Sequence, residues 1–261
     1  MSEPSRQPRI LLVGPSVKVV RAADAAGFRV WSLCDAGGCP SGGQLGDLSE
    51  RLMVVDFRDE GALAEAVGVA EGAGLCVNPA AAVRLLGDVE AVRGVAGVNG
   101  LARAEGSGGG ERFRVDTLSV HGMHHVVGIS VETPYGPMFP APVGGGVAAT
   151  LRSAVVSLLD LAGYRYGPAH TFVVLSPRGP VTVGCRTVVA EEVVAELVRV
   201  AAGRDVVRDA FEVLAGRDVG PVRAGRFAVA VAVSGWRRMV LGAESVGEVL
   251  ELAGTVRELA G

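Results

Sequence analysis

A chain of 261 residues, 49% hydrophobic and 20% charged, is globular in composition and long enough for one large domain or two small ones. Basic residues number 25 against 28 acidic ones, and a net charge of −3 gives no reason to expect a nucleic-acid partner or an anionic membrane surface. The polar start MSEPSRQPR lacks the apolar core of a signal peptide, and no run has the length of a membrane span.

Arg9 to Val13 is a short apolar run ending at Gly14-Pro15-Ser16, which predicts a buried strand and a turn. Residues 17–26 read as a helix stopped by Gly27, with Phe28 to Leu33 as a second strand. Leu52 to Asp56 predicts a third strand and Glu60 to Glu71 a helix, an alternation that favours a parallel sheet with helices packed on it. The Gly14 turn lacks the G-x-G-x-x-G spacing of a dinucleotide loop, so Asp35 after the second strand is read as a strand-end or turn cap rather than a ribose ligand.

From Gly94 the sequence loosens into Glu105-Gly106-Ser107-Gly108-Gly109-Gly110, a connector by composition. Arg112 to Val120 and His125 to Val131 predict a hairpin joined at His121-Gly122, and Thr133 to Gly146 is an irregular Pro/Gly-rich stretch. Val147 to Leu161 has amphipathic helical spacing closed by Gly163. A second hairpin covers His170 to Ser176 and Val181 to Cys185, turning at residues 177–180. Helices follow at residues 191–202 and 206–214. The tail holds the alternating strand Arg226 to Val233, a short strand near Met239 to Leu241, and a helix from Ser245. Antiparallel strands with helices on one side make this half α+β.

Four cysteines, Cys34, Cys39, Cys76 and Cys185, form no pair of metal-ligand repeats and are read as reduced thiols of a cytosolic protein. Lys18 is the chain's sole lysine, so any chemistry that needs an ammonium must use it.

The stretch from Gly163 to Gly216, above all Gly167-Pro168-Ala169-His170-Thr171-Phe172 and its following hairpin, resembles the C-terminal part of the ATP-grasp carboxylate–amine ligases. Arg114 to Val127 is similar to the strand pair preceding it. The N-terminal residues through Asn78-Pro79 to Gly87-Asp88 also match in order. The resemblance implies a pre-ATP-grasp-like parallel α/β domain over residues 1–93, a Gly-rich connector at 94–110 where the lid would be, and an antiparallel ATP-grasp-like domain over 111–261.

Laid on the family pattern, the two metal-binding glutamates fall on Phe172 and Gly184, the metal-binding asparagine on Arg186, and the phosphate-contacting arginine on Val188. Magnesium needs hard oxygen ligands, which phenylalanine and glycine side chains lack and which an arginine opposes. The ATP lysine of the family's Asp-Lys pair reads Asp88-Val89, and the lid with its second lysine has no counterpart. Lys18 sits in the first helix and replaces neither. No metal and no cofactor is therefore expected.

What remains near the family's active site is Asp116, His170, Cys185 and Arg186. Two readings stand for each of the last three. His170 is an acid–base group or a satisfied core histidine. Arg186 binds a substrate carboxylate bidentately or makes a surface ion pair. Cys185, alternating with Arg186 in direction, lines the site or is a buried structural thiol. Asp116 joins His170 as the candidate catalytic pair, with Tyr135 a candidate phenol donor to substrate. Tyr164 and Tyr166 read the same way, with core packing as the other reading for all three. Strand alternation puts His124 and His125 on opposite faces.

These readings give two functions: an ATP-independent enzyme acting on a small carboxylate-bearing metabolite in a biosynthetic pathway, or a non-catalytic relative that binds a full-length ligase or a second copy of itself. A third, residual ATP-dependent ligation, needs ligands that the substitutions have removed.

Overall fold

The computed structural model describes residues 8–38, 42–72, 110–120, 122–164, 167–186, 192–234 and 237–260. The chain divides into two compact units, one of residues 1–87 with 211–218 and one of residues 88–210 with 219–261.

In the first unit, strands β1 (Arg9–Val13), β2 (Arg29–Asp35) and β3 (Arg51–Val55) form a parallel sheet in that order. Ser16 caps helix α1 (Val17–Ala25) by accepting the Val19 N–H at 3.4 Å. The core joins Leu11, Trp31 and Leu33 to Leu63, Ala66 and Ala70 of α3 (Glu60–Gly72). Asp35 accepts the Phe57 N–H at 3.2 Å and so closes the end of β2. A short helix, α2 (Gly42–Leu48), joins β2 to β3. Gly42, Gly43 and Gly46 give it low intrinsic propensity, which hides it in the sequence.

The second unit is built on seven strands. They are β4 (Glu111–Val120), β5 (Met123–Thr133), β6 (Gly136–Phe139), β7 (Gly167–Ser176), β8 (Gly179–Arg186), β9 (Phe227–Ser234) and β10 (Arg237–Ala243). Their order is β10-β9-β6-β5-β4-β7-β8, antiparallel throughout. Four helices accompany them: α4 (Gly145–Leu161), α5 (Glu192–Ala202), α6 (Val206–Leu214) and α7 (Val246–Ala260). The end of α6 clusters with the first unit.

Strand β6 lies inside the stretch expected to be irregular. Only four residues long, it is held by non-local ladders to β5 and β9 that local pattern does not encode. The helices are not confined to one side. Ala228, Val229, Ala230 and Val231 are all buried, so β9 is covered on both faces, and both α5 and α7 pack on it.

Central strand β4 pairs along its length with β5 on one side and β7 on the other. Asp116 stands opposite Gly128 and opposite His170, and His170 stands opposite Arg186. Residues 114, 116, 170 and 172 therefore share one face of the sheet, and 115, 117, 171 and 185 share the other.

The β5–β6 turn is pinned by Gly136, which has φ 141° and where a Cβ would stand 2.1 Å from the Ala230 carbonyl oxygen. Gly136→Ala is expected to lower stability by about 3 kcal/mol, through backbone strain and the displaced β9 carbonyl. Urea unfolding of the purified variant checks this.

Candidate functional site

The register places His170 beside Asp116, and the side chains meet: the His170 Nδ1–H donates to Asp116 Oδ1 at 2.6 Å. His170 is 0% exposed and Asp116 8%. Nδ1 is committed to the carboxylate, which fixes the ring's orientation. Nε2 is also buried and has no hydrogen-bond partner among the described residues. An unsatisfied buried nitrogen costs about 1–3 kcal/mol, so it calls for a reason.

Two residues along β7, the Phe172 ring meets the imidazole edge-on, with centroids 4.8 Å apart at 85°. The ring also lies over Gly184, its register partner, where a Cβ would stand 3.7 Å from Phe172 Cδ2. The Arg114 guanidinium sits 5.6 Å from the centre of the same ring and is ion-paired to Glu132. Asp116, His170, Phe172, Arg114 and Glu132 thus form a continuous row. Arg114 and Glu132 are additions to the sequence reading. The signal for Arg114 was its two-residue spacing from Asp116; Glu132 depends on the β4–β5 register.

Cys185 lies elsewhere. It stands opposite Thr171 on the other face, buried, with its Sγ 3.3 Å from Thr171 Oγ1. The structure does not bring it to the Asp116–His170 pair. Burial pushes its thiol up from the ordinary range, only partly offset by the Thr171 hydroxyl. Tyr135 is also apart from the pair, its hydroxyl 3.2 Å from where a Cβ of Gly254 in α7 would stand. Tyr164 is buried and its hydroxyl donates to the Pro168 carbonyl at 2.9 Å. The backbone of Arg186 is opposite His170; its side chain, with Val89, Val188, Cys39, Cys76, His121, Tyr166 and all of the connector 94–110 but Gly110, lies outside what is described. Lys18 is exposed on α1.

A second set of polar residues occupies the opposite face. Ser119 Oγ and His124 Nδ1 are 2.7 Å apart, and His124 Nε2 is 3.2 Å from Asp160 Oδ1. The residue types are those of a nucleophilic triad, but Ser119 is 0% exposed while Asp160 lies 61% open to water. This set ties β5 to the end of α4.

No protein-family model and no curated protein matches the chain. Solved structures do. An L-amino acid ligase from Bacillus licheniformis superposes with a TM-score of 0.71 at 13% identity over 98% of each chain. Glycinamide-RNase-transformylase T from Mycobacterium tuberculosis gives 0.66 at 13% identity over 97% of this chain and 100% of that one. N5-carboxyaminoimidazole ribonucleotide synthetase from Thermotoga maritima gives 0.66 at 10% identity over 97% and 98%. The fold is that of the ATP-grasp carboxylate–amine ligases.

Magnesium does not fit the donor set that this chain presents. The positions matched to the two glutamates hold an aromatic ring and the glycine beneath it, with a guanidinium over the ring. Among the described residues no three His, Cys, Asp or Glu side chains converge as metal ligands, and no helix is long and apolar enough to cross a membrane.

Because the folded state holds the Cys185 thiol protonated to higher pH than the unfolded chain does, its stabilising contribution is complete below the unfolded thiol value of about 8.5 and fades above it. Urea midpoints measured from pH 7 to 10 should fall over the upper part of that range. The fall should be shallower in Cys185→Ala.

Proposed function

We propose that this chain is an ATP-independent enzyme on a lidless ATP-grasp scaffold, acting on a small carboxylate-bearing metabolite in a biosynthetic pathway by proton transfer. The observation that carries this is the Asp116–His170 pair with its unpartnered Nε2. With Nδ1–H held by the carboxylate, the neutral ring keeps its lone pair on Nε2, the arrangement of an oriented general base. Asp116 fixes the tautomer and meets the positive charge the ring gains on taking a proton. Arg186, opposite His170 in the ladder, is assigned the substrate carboxylate.

The loss of phosphoryl transfer rests on the Phe172 ring over Gly184. That reaction depends on positioning and charge neutralisation, and a ring supplies no ligand for the metal that neutralises the phosphates. The absent lid is read from the short sequence between Asp88 and Arg112.

One observation favours a second reading, a non-catalytic scaffold that binds a complete ligase or another copy of itself. His170 is 0% exposed, as expected of a histidine that only joins two strands.

Two measurements test the proposal. Calorimetric titration with MgATP is expected to show no saturable binding, and magnesium-dependent saturation with ADP release on adding amino acids would overturn ATP independence. Proton transfer is followed by NMR as deuterium exchange at the carbon next to the carboxylate, over a panel of keto and amino acids. His170→Gln should slow that exchange by roughly 10²–10⁴-fold with the fold intact. Undiminished exchange in the variant would remove His170 as the base, and none in the wild type would leave the scaffold reading.

A further inference from the structure

The second unit contains a cavity of about 500 Å³, in the size range of ligand sites. It lies between β5, residues 139–143, the start of α4 and residues 221–224. Neither Asp116 nor His170 lines it, so it is separate from the row just described and does not rest on the proton-transfer reading.

Three features of this space point to one ligand chemistry. About half of its wall is apolar, with Val126, Ile129, Phe139, Val143, Val156 and Val222 among the lining residues. The polar residues lining it are Arg152, His124 and His125, the two histidines bordering one space beside the bulge although strand alternation sets them on opposite faces, and no Asp or Glu lines it. Among the described residues Arg152 makes no ion pair or hydrogen bond, and it stands between Ala148 and Val156 on the one stripe of α4 that faces the cavity.

The strand that forms the floor is also unusual. Val127 is an extra residue in β5: Asp116 pairs with Gly128 and Thr117 with Val126, so the ladder shifts register here. β6 covers β5 only over residues 131–133, with one further backbone bond from Ala141 N–H to the Ile129 carbonyl at 2.8 Å. From His124 to Gly128 the outer edge of β5 has no strand beside it among the described residues, and the cavity lies along this bulged stretch.

We propose that this cavity is a binding site for a small organic acid with an apolar tail, the carboxylate meeting Arg152 at the mouth and the tail lying on the Val126–Phe139–Val156 wall. A cationic ligand is disfavoured because the lining carries no acidic side chain. A neutral one leaves the arginine unused.

The test titrates the full chain with butyrate, hexanoate and octanoate, and with 1-octanol and octylamine, all below micellar concentration. Binding is read by calorimetry and by the imidazole proton resonances of the chain's four histidines. Octanoate is expected to saturate at one equivalent, shifting two of the histidine resonances. Affinity should rise roughly threefold per methylene from butyrate to octanoate. Because Arg152 is solvent-exposed, Arg152→Gln should weaken octanoate about fivefold and leave octanol unchanged. Ala148→Trp, on the same stripe, should abolish binding while circular dichroism stays that of the parent. Octanoate that fails to saturate, or binds Arg152→Gln and Ala148→Trp as tightly as the parent, overturns the site. Octylamine that binds as well as octanoate overturns its charge preference.

Discussion

Phe172 faces Gly184 directly across the β7–β8 ladder, and the arrangement of that sheet face follows from this one contact. A glycine in a strand leaves a gap, and an aromatic ring on the neighbouring strand closes it. Once the ring lies over Gly184, its other surfaces are free to organise the rest. Its edge-to-face contact fixes the His170 imidazole, and its face receives the Arg114 guanidinium. Asp116 then has a single well-defined nitrogen to meet, at 2.6 Å. A glutamate at position 172 would instead set a carboxylate beside Asp116 and require a cation to hold the two.

Asp116 and His170 come from strands 54 residues apart in sequence, and only the shared register of β4 aligns them. The same strand carries Ser119 toward His124 on the opposite face. Each histidine has one nitrogen held by a neighbouring strand residue, but the second nitrogen meets a different fate. In both it makes no hydrogen bond among the described residues, but that of His124 lies 3.2 Å from the water-exposed Asp160 carboxylate. Two imidazoles on one sheet thus differ in chemical capacity through what surrounds the far nitrogen rather than through the residue itself.

Much of the architecture was legible in the sequence. The helix at Val206–Leu214 has the predicted bounds, and the parallel-then-antiparallel organisation follows from patterns of two and 3.6 residues. What escaped has a common cause. α2 contains three glycines in seven residues, and β6 is four residues inside a Pro/Gly-rich stretch, so local preference opposes elements that tertiary pairing enforces. The covering of both faces of β9 was obscured because alanines alternate with its valines and admit a helix without advertising a hydrophobic face. At the site, spacing two apart along β7 gave His170 and Phe172 a common face. Asp116 was named with His170 through the family resemblance, whereas Glu132 depends on cross-strand register, which sequence spacing does not encode. The cavity beside β5 draws on four separate segments and has no linear signature.

The charges described on this face are held in pairs. In a metal-binding arrangement several carboxylates converge, and their repulsion is relieved only when the ion arrives. Here positions 172 and 184 hold a ring and a glycine, and among the described residues two carboxylates each meet a basic side chain. The Asp116 carboxylate accepts the His170 N–H, and the Arg114 guanidinium is ion-paired to Glu132. Among the described residues, two buried polar atoms on this face have no hydrogen-bond partner, the Ser130 hydroxyl and the His170 Nε2. A proton delivered to that nitrogen would be stabilised at once by Asp116 across the ring. The ring at position 172 supplies no cation ligand, whereas the imidazole beside it keeps a nitrogen that can take a proton.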